Sequence, residues 1–199
     1  THPDAVALAS GRCAPAGPRP PPPAWTLPHS CRILAPGCIR PLSDVDALIA
    51  RHGLQPHPEG GYYRELHRSP LAVQRGDGQA RAALTVILFL LPAGAISRWH
   101  RVQGADESWH FIGGAPLELL QLPPGGGEAQ ARRLGFDPAD GALLPVAVVP
   151  SGWWQAARSL GAWSLVSCCV GPGFSFDDFS LLADHDPATH PPGALPAWL

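Results

Sequence analysis

Short apolar segments, each closed by glycine or proline, follow one another through the middle of this 199-residue chain. Strands of such length and spacing are typical of an all-β sandwich or barrel. No helical periodicity recurs between the segments, which disfavours parallel βαβ units. Eight strands are predicted in this way, at residues 84–91, 95–102, 107–112, 117–122, 131–136, 144–149, 153–158 and 164–170.

The two ends of the chain differ from this central part. Residues 1–42 are rich in Pro, Ala and Arg and contain a single acid, so we expect a flexible extension. One short N-terminal helix is predicted next, with Ser43 as its N-cap and Gly53 as its end. The barrel is expected over residues 43–184, followed by a Pro-rich C-terminal tail over residues 185–199.

Charge and composition exclude several classes of function. The 14 basic residues are all arginines and face 16 acids, so the chain lacks the basic excess of nucleic-acid binders. The absence of lysine excludes Schiff-base and P-loop chemistry. Five cysteines without a CxxC pair indicate neither a zinc knuckle nor a disulfide framework. No apolar run is long enough to span a membrane. We therefore expect a cytoplasmic protein with a small-molecule partner, although the Arg-bearing leader also resembles an organelle transit peptide.

Two segments carry the most specific pattern of the sequence. The first runs from Gly94 to Gly114 and contains His100, Val102 and Glu107. The second, Pro150 to Gln155, begins about 50 residues after His100. Their order and spacing resemble the two signatures of the cupin superfamily, with Val102 and Gln155 standing where two metal-binding histidines would be.

The resemblance narrows to one family, Cupin-5 (DUF985), when five stretches within and around these segments are considered together. It implies a double-stranded β-helix, which is the cupin jelly-roll barrel, and commonly a homodimer. It does not bring a settled reaction with it. The stretches that carry this resemblance are Pro56–Glu65, Ser97–Val102, Asp106–Phe111, Val149–Ala156 and Gly171–Phe179.

Strand alternation predicts which side chains share the barrel interior, because residues two apart in a strand point to the same face. An inward His100 places Arg98 and Val102 inside, whereas a bulge would invert these assignments. An inward Glu107 leaves His110 outside. His100 and Glu107 are therefore the predicted catalytic pair, and the predicted substrate-binding residues are Tyr63, Arg64, Arg98, Trp109, Phe111, Trp153 and Gln155.

These residue types point to proton chemistry on a small molecule. An imidazole titrates near neutrality, and burial raises the pKa of a carboxyl group towards the useful range. If His100 and Glu107 lie within hydrogen-bond reach, they can act as acid and base, while Arg98 or Arg64 binds an anionic group. The first hypothesis is an isomerase, epimerase or lyase. The alternatives are a cupin that binds a sugar-like or nucleotide-like ligand without chemistry, and a metal-dependent oxygenase or lyase.

A tightly bound metal is disfavoured by the residues themselves. The candidate ligands are His100, Glu107 and Gln155, whereas Val102 cannot ligate. This set falls short of the two-histidine, one-carboxylate arrangement that holds non-haem iron. A weakly bound divalent ion at His100 and Glu107 stays an open alternative.

Several nearby residues receive simpler interpretations. We expect His57 at the surface or in a turn, because no partner stands at ligand spacing. Glu59 is expected to pair with Arg64 or across a dimer seam. The Gly60-Gly61 pair marks a strained turn rather than a phosphate-binding loop. An apolar clasp that closes the barrel or covers its partner is expected from Phe174, Phe176 and Phe179.

Overall fold

A computed structural model describes residues 44–199 of the chain. The predicted extension, the Ser43 cap and three of the five cysteines lie outside the described residues. The predicted helix is confirmed as α1, which runs from Asp44 to His52 and ends before Gly53, whose φ is +61°. Its apolar side packs on the outer face of a sheet, against Leu88, Leu90 and Leu165 among others.

The described chain contains fourteen strands and one α-helix. The prediction of an all-β fold is confirmed. In chain order the strands are β1 (Gln55–Pro56), β2 (Tyr62–Arg68), β3 (Ala72–Gln74), β4 (Ala80–Ala82), β5 (Thr85–Pro92), β6 (Ile96–Val102), β7 (Asp106–Gly114), β8 (Leu117–Leu122), β9 (Gln130–Leu134), β10 (Leu143–Leu144), β11 (Val146–Val149), β12 (Trp154–Ser159), β13 (Trp163–Gly171) and β14 (Phe179–Leu181).

All eight predicted strands are present, with ends that differ by at most two residues. The segment predicted over 144–149 is divided at Pro145 into β10 and β11. Five strands lie outside the eight predicted segments, namely β1, β2, the two strands of the β3–β4 hairpin, and β14. Four of these have only two or three residues, too short for an alternating apolar pattern to be recognised.

Two six-stranded sheets face each other and enclose the interior of the barrel. Their strand orders are β1-β2-β5-β13-β7-β11 and β10-β9-β8-β12-β6-β14. Neighbouring strands pair antiparallel, except for the short parallel contact between β9 and β10. Side chains from both sheets meet in one apolar cluster, which includes Phe89, Trp109 and Val166 from the first sheet and Leu117 and Leu119 from the second. This arrangement is the jelly-roll barrel that the sequence predicted.

The outer face of the second sheet is covered by the end of the chain. Trp99, Trp154 and Leu182 form an apolar cluster there, and Trp198 packs into it. The indole Nε1 of Trp99 donates a hydrogen bond to the Leu195 carbonyl at 3.1 Å. Residues 185–199, which the sequence predicts to be a tail, therefore pack on the barrel. No helix in the described range has the length and apolar character needed to cross a membrane.

The turn between β1 and β2 brings residues 57–61 against the start of β6. Gly60 and Gly61 have φ values of +115° and +68°. A Cβ on Gly60 would collide with the Ile96 carbonyl oxygen, so only glycine permits this close approach. The Arg98 amide then donates to the Glu59 carbonyl at 2.9 Å, which fixes Glu59 beside β6.

Candidate functional site

A cavity of about 530 Å³ occupies one end of the barrel interior. Its size falls in the range of sites for small molecules. We call three groups of lining residues the floor, the walls and the mouth. The floor is His57, Glu59, His100, Glu107 and Cys168; the walls include Tyr63, Ile87, Val102, Val170, Phe174 and Phe179; the mouth includes Glu65, Arg68, Arg81 and Phe176.

A bulge in β6 decides which of its side chains reach the floor. His100 lies opposite Gln155 of β12, but Ser97 lies opposite Ala157, so β6 has one extra residue between these pairs. An extra residue inverts the alternation of side chains. As a result Ser97 and His100 both face inwards, while Arg98 turns away from the cavity.

Glu59 and His100 form the closest acid–imidazole contact of the floor. His100 Nε2 lies 3.2 Å from Glu59 Oε2, and the two side chains are only 2% and 7% exposed. His100 Nδ1 lies 2.7 Å from the Arg98 carbonyl oxygen, which can only accept a hydrogen bond, so Nδ1 carries a proton. The Nε2 atom of a neutral imidazole then has a lone pair. The contact with Glu59 Oε2 is therefore favourable only when one of the two groups carries a further proton.

His57 lies on the other side of the same carboxyl group. Its Nδ1 is 3.4 Å from Glu59 Oε2 and accepts a hydrogen bond from the Glu59 amide at 3.3 Å. The ring stands edge-on to Tyr63, with 4.5 Å between the ring centroids. The expectation that His57 lies at the surface is wrong, because its side chain is only 6% exposed.

Glu107 is held by neutral hydrogen-bond donors. The amide Nε2 of Gln155 donates to Glu107 Oε2 at 2.6 Å, and Gln155 Oε1 accepts from the Trp109 indole at 2.9 Å. Burial raises the pKa of Glu107 to about 6, and the nearby His100 and the Gln155 and Cys168 hydrogen bonds only partly oppose this rise. The carboxyl group therefore titrates just below neutral pH.

Burial dominates the protonation of the other floor groups as well. It raises the pKa of Glu59, although His57, Ser97 and Arg98 act in the opposite direction. It lowers the pKa of both His57 and His100, in each case against the attraction of a neighbouring carboxylate. It also holds the pKa of Cys168 well above its ordinary value, so this thiol stays protonated. The floor thus combines two carboxyl groups with two imidazoles that resist protonation.

Comparison with known proteins identifies the family of this barrel. The Cupin_5 family model, described as Cupin superfamily (DUF985), matches residues 46–182. The chain belongs to the Cupin_5 family. The match extends over β1 to β14 and includes every floor residue.

Relatives of this cupin occur in distant organisms. The Saccharomyces cerevisiae protein YML079W is 29% identical over 166 residues, which are 75% of this chain and 81% of the yeast protein. The solved structure of protein SO0799 from Shewanella oneidensis has 38% identity and a TM-score of 0.62, covering 69% of this chain and 83% of its own. A hypothetical protein from Leishmania major has 32% identity and a TM-score of 0.63, covering 68% and 85%.

The predicted site residues of this cupin fall into three positions. His100, Glu107 and Tyr63 line the cavity. Gln155 lies behind Glu107, and Trp109 lies behind Gln155. Three others are elsewhere: Phe111 and Trp153 pack against the apolar cluster, and Arg64 donates to the His52 carbonyl outside the barrel.

Two interpretations of charged residues are corrected by the structure. Strict alternation places Arg98 inside the barrel, but the β6 bulge turns it outwards, where Nη2 donates to the Pro58 carbonyl at 2.6 Å. Glu59 does not pair with Arg64; its carboxyl group accepts from Ser97 Oγ at 2.9 Å and contacts both floor histidines. Neither of the two arginines expected to bind an anion lines the cavity.

Sequence analysis missed three of the five floor residues, namely His57, Glu59 and Cys168. The available signal for Glu59 was the Gly60-Gly61 pair behind it, since two glycines with positive φ indicate a close approach of backbones. Cys168 is three residues from the end of β13 and alternates with the apolar Val166 and Val170, so nothing local distinguishes it from core. The three residues of the expected apolar clasp, Phe174, Phe176 and Phe179, all line the cavity.

The donor set predicted for a metal does not fit one in this geometry. Gln155 uses its carbonyl oxygen to accept from Trp109 and its amide nitrogen to donate to Glu107, and Val102 offers only hydrocarbon. Among residues 44–199, no three His, Cys, Asp or Glu side chains are grouped so that they can hold a metal ion.

Proposed function

We propose that this cupin is a small-molecule isomerase, epimerase or lyase that moves a proton within a ligand held in the cavity. The observation that carries the proposal is the Glu59–His100 contact of 3.2 Å, which lies beside a second buried acid, Glu107. All three groups face the same cavity. Two positioned acid–base groups are what a reversible proton transfer requires.

The simplest reaction on this floor is proton transfer next to a carbonyl group. Ionised Glu107 takes the proton from the carbon beside the carbonyl, and the electron pair of that C–H bond forms a carbon–carbon double bond. The Glu59–His100 pair gives its shared proton to the carbonyl oxygen, which produces an enediol or enol. Return of the two protons to exchanged positions or to the opposite face yields the isomer or epimer. No oxidant or other co-reactant is needed.

The pKa of Glu107 suits this role. A general base works best when its pKa lies near the working pH. With a pKa of about 6, Glu107 is mostly ionised at neutral pH yet more basic than an exposed carboxylate. The same burial that raises this pKa also keeps His100 neutral, so the imidazole exchanges a proton with Glu59 instead of holding a permanent charge.

Deuterium incorporation tests the proposal even though the substrate is unidentified. A panel of small carbonyl compounds, including aldoses, ketoses and their lactones, is incubated with the full chain in D₂O and examined by mass spectrometry. We expect deuterium at carbon in at least one compound. His100→Ala should slow this exchange at least about 100-fold, the usual contribution of a general acid or base.

A second histidine provides the matched control. His110 faces away from the cavity and contacts Ser108 Oγ at 3.0 Å, so His110→Ala should leave exchange unchanged. Absence of exchange across the panel, or equal rates in wild type and His100→Ala, would refute the proposal. Exchange that appears only when a divalent metal is added would refute the metal-free form of it.

A binding function without chemistry is the second candidate, and one observation favours it. Every buried side-chain nitrogen and oxygen of the described residues already has a hydrogen-bond partner, as in a site built to be stable. In that case ligands would bind and His100→Ala would weaken them, but no compound would acquire deuterium. We also propose, from family membership alone, that the protein is a homodimer, which light scattering would test.

A further inference from the structure

The charges around the cavity are distributed unevenly between mouth and floor. At the mouth, Arg68 forms two parallel hydrogen bonds to Glu65, at 3.0 and 2.7 Å. Arg81 does the same with Asp178, at 2.7 and 3.0 Å. Arg75 also contacts this aspartate, and it pairs in addition with Asp77. The positive charges of these three arginines are therefore balanced by the negative charges of three acids.

The floor has no comparable compensation. Its two acids, Glu59 and Glu107, receive hydrogen bonds from Ser97, Gln155 and Cys168, all of them neutral donors. Burial disfavours the charged forms of His57 and His100. The Arg98 guanidinium is directed at backbone carbonyls outside the cavity, and its charge only partly opposes the rise in the pKa of Glu59. A buried negative charge without a cation is costly, so the floor favours a ligand that supplies positive charge.

The aromatic rings around the floor form a second recognition element. The rings of Phe174, Phe176 and Phe179 meet one another edge to face, with centroids 5.0 to 6.0 Å apart. The Phe179 ring lies 5.6 Å from the His100 ring and 6.1 Å from the His57 ring. The Tyr63 ring also stands edge-on to His57, at 4.5 Å between the ring centroids. Several rings grouped around one space are the arrangement that binds ammonium groups through cation–π contacts.

We propose that the ligand of this cavity carries a protonated amine, which lies between the phenylalanine rings and the two floor carboxyl groups. An anionic group is disfavoured in the same cavity for two reasons. The floor acids repel it, and the arginines that would bind it are already paired or turned away. The ligand class is therefore a small aminated compound, such as an amino sugar or an amino ketone, and not a sugar acid or a phosphate ester.

This inference rests on the cavity of the proposed function, but not on turnover. An ammonium group beside the reacting carbon also withdraws electrons, which makes the neighbouring C–H bond more acidic. The ligand class and the reaction can nevertheless fail separately, because binding is measured without chemistry.

Three compounds with the same ring test the charge preference. Cyclohexylammonium, cyclohexanol and cyclohexanecarboxylate are titrated into the full chain near pH 8, with the protein observed by NMR. At this pH Glu107 is ionised and the alkylamine is protonated. We expect the ammonium compound to bind about tenfold more tightly than the alcohol, and the carboxylate to bind most weakly.

Two variants separate the contributions of charge and ring. Glu107→Gln removes one acid and should reduce the ammonium-to-alcohol ratio to about threefold or less. Phe176→Leu keeps an apolar side chain but removes the ring, and should weaken the ammonium several-fold while leaving the alcohol unchanged. Phe176 is 55% exposed, so this change does not threaten folding.

Matched controls lie outside the cavity. Glu118→Gln removes an acid that pairs with Arg158, and Phe136→Leu removes a ring that is 75% exposed; neither residue lines the cavity, so neither should alter the ratio. Ammonium binding no tighter than alcohol binding, including failure of both to bind, would overturn the inference. So would an unchanged ratio in Glu107→Gln. If the protein prefers the ammonium compound but no compound acquires deuterium, the proposed reaction alone is refuted. If neutral compounds acquire deuterium but the ammonium compound is not preferred, this inference alone is refuted.

Discussion

The two ends of the barrel interior are built from the same strands but differ in chemistry. Strand β5 contributes Ile87 to the cavity and Phe89 and Leu91 to the apolar cluster. Strand β7 contributes Glu107 to the floor and, two residues further on, Trp109 to the cluster. Each strand therefore keeps one inward face, and on β7 the character of this face changes from acidic to apolar within a single alternation.

This difference separates stability from function within one interior. The apolar end is closely packed and contains large side chains with almost no exposure, so it supplies the hydrophobic stabilisation. The cavity end leaves space unfilled and buries acids whose ionisation is opposed by their surroundings. Functional sites commonly lower stability in this way. Removal of a ring should consequently lower stability far more at the apolar end than at the cavity end, and removal of a buried acid at the cavity end should raise stability.

The largest effect on stability is expected at the apolar end. Trp109 is 1% exposed, and Trp109→Ala removes both its packing and the indole donor to Gln155. We expect the free energy of unfolding to fall by about 3–5 kcal/mol, as for other buried aromatic residues. Denaturant titration measures this loss. At the cavity end, Phe176→Ala should lower the free energy of unfolding by about 1 kcal/mol or less, because the ring is half exposed. Equal losses would contradict the comparison.

Gln155 connects the two ends, since it accepts from Trp109 and donates to Glu107. Gln155→Leu leaves a buried indole donor without its acceptor, which should lower the free energy of unfolding by about 1–3 kcal/mol. The same change removes a hydrogen bond that lowers the pKa of Glu107, so this pKa should rise further. The pH profile of deuterium exchange would move to higher pH. A loss of stability with an unmoved profile would show that the ends are independent.

At the floor, removal of an acid should stabilise the fold. The pKa of Glu107 rises from 4.5 to about 6 on folding, so the folded state binds its proton more tightly than the unfolded state. The stabilisation that comes from this tighter proton binding is present in full below about pH 4.5 and is lost as the pH rises through 6. The loss in the free energy of unfolding is about 2 kcal/mol. Glu107→Gln should be more stable than wild type by about that amount near pH 8, and the two should converge near pH 4.

Denaturant titrations at these two pH values test that sign. Glu118→Gln is the matched control, because Glu118 is an acid that pairs with Arg158 outside the cavity. Its stability relative to wild type should not improve near pH 8. A destabilised Glu107→Gln protein at high pH would mean that Glu107 is a structural acid, and the distinction between the two ends would no longer hold.

The apolar end was predictable because its residues follow a strict alternation. Glu107 and Trp109 share one face of β7, as expected, and His110 lies on the other face. The cavity end depends on departures from alternation. The extra residue in β6 reverses Arg98, and no feature of the sequence Ser97–His100 reveals it. Bulges at functional sites redirect side chains in this way.

Contacts between distant segments explain the remaining differences. Glu59 reaches His100 across 41 positions of the chain only because the glycine turn lets residues 57–61 approach β6. Sequence spacing carries no information about this approach, so the predicted partner of His100 was Glu107. The sequence therefore predicts that His100 lies beside a carboxyl group, but only the three-dimensional structure shows that this group belongs to Glu59.

The smallest effect is expected at the mouth, where charges are paired and partly exposed. Asp178 joins the β3–β4 hairpin to the segment before β14 through Arg75 and Arg81. Asp178→Asn keeps a carbonyl oxygen that can accept from both arginines, so the free energy of unfolding should fall by only about 1 kcal/mol. Locally, backbone amides of the hairpin should exchange with solvent several-fold faster, which hydrogen-exchange mass spectrometry measures. The adjacent Asp177→Asn, which contacts Ser175 instead, should leave hairpin exchange unchanged. Equal effects of both variants would mean that general charge, and not the Asp178 ion pairs, holds the hairpin beside the cavity.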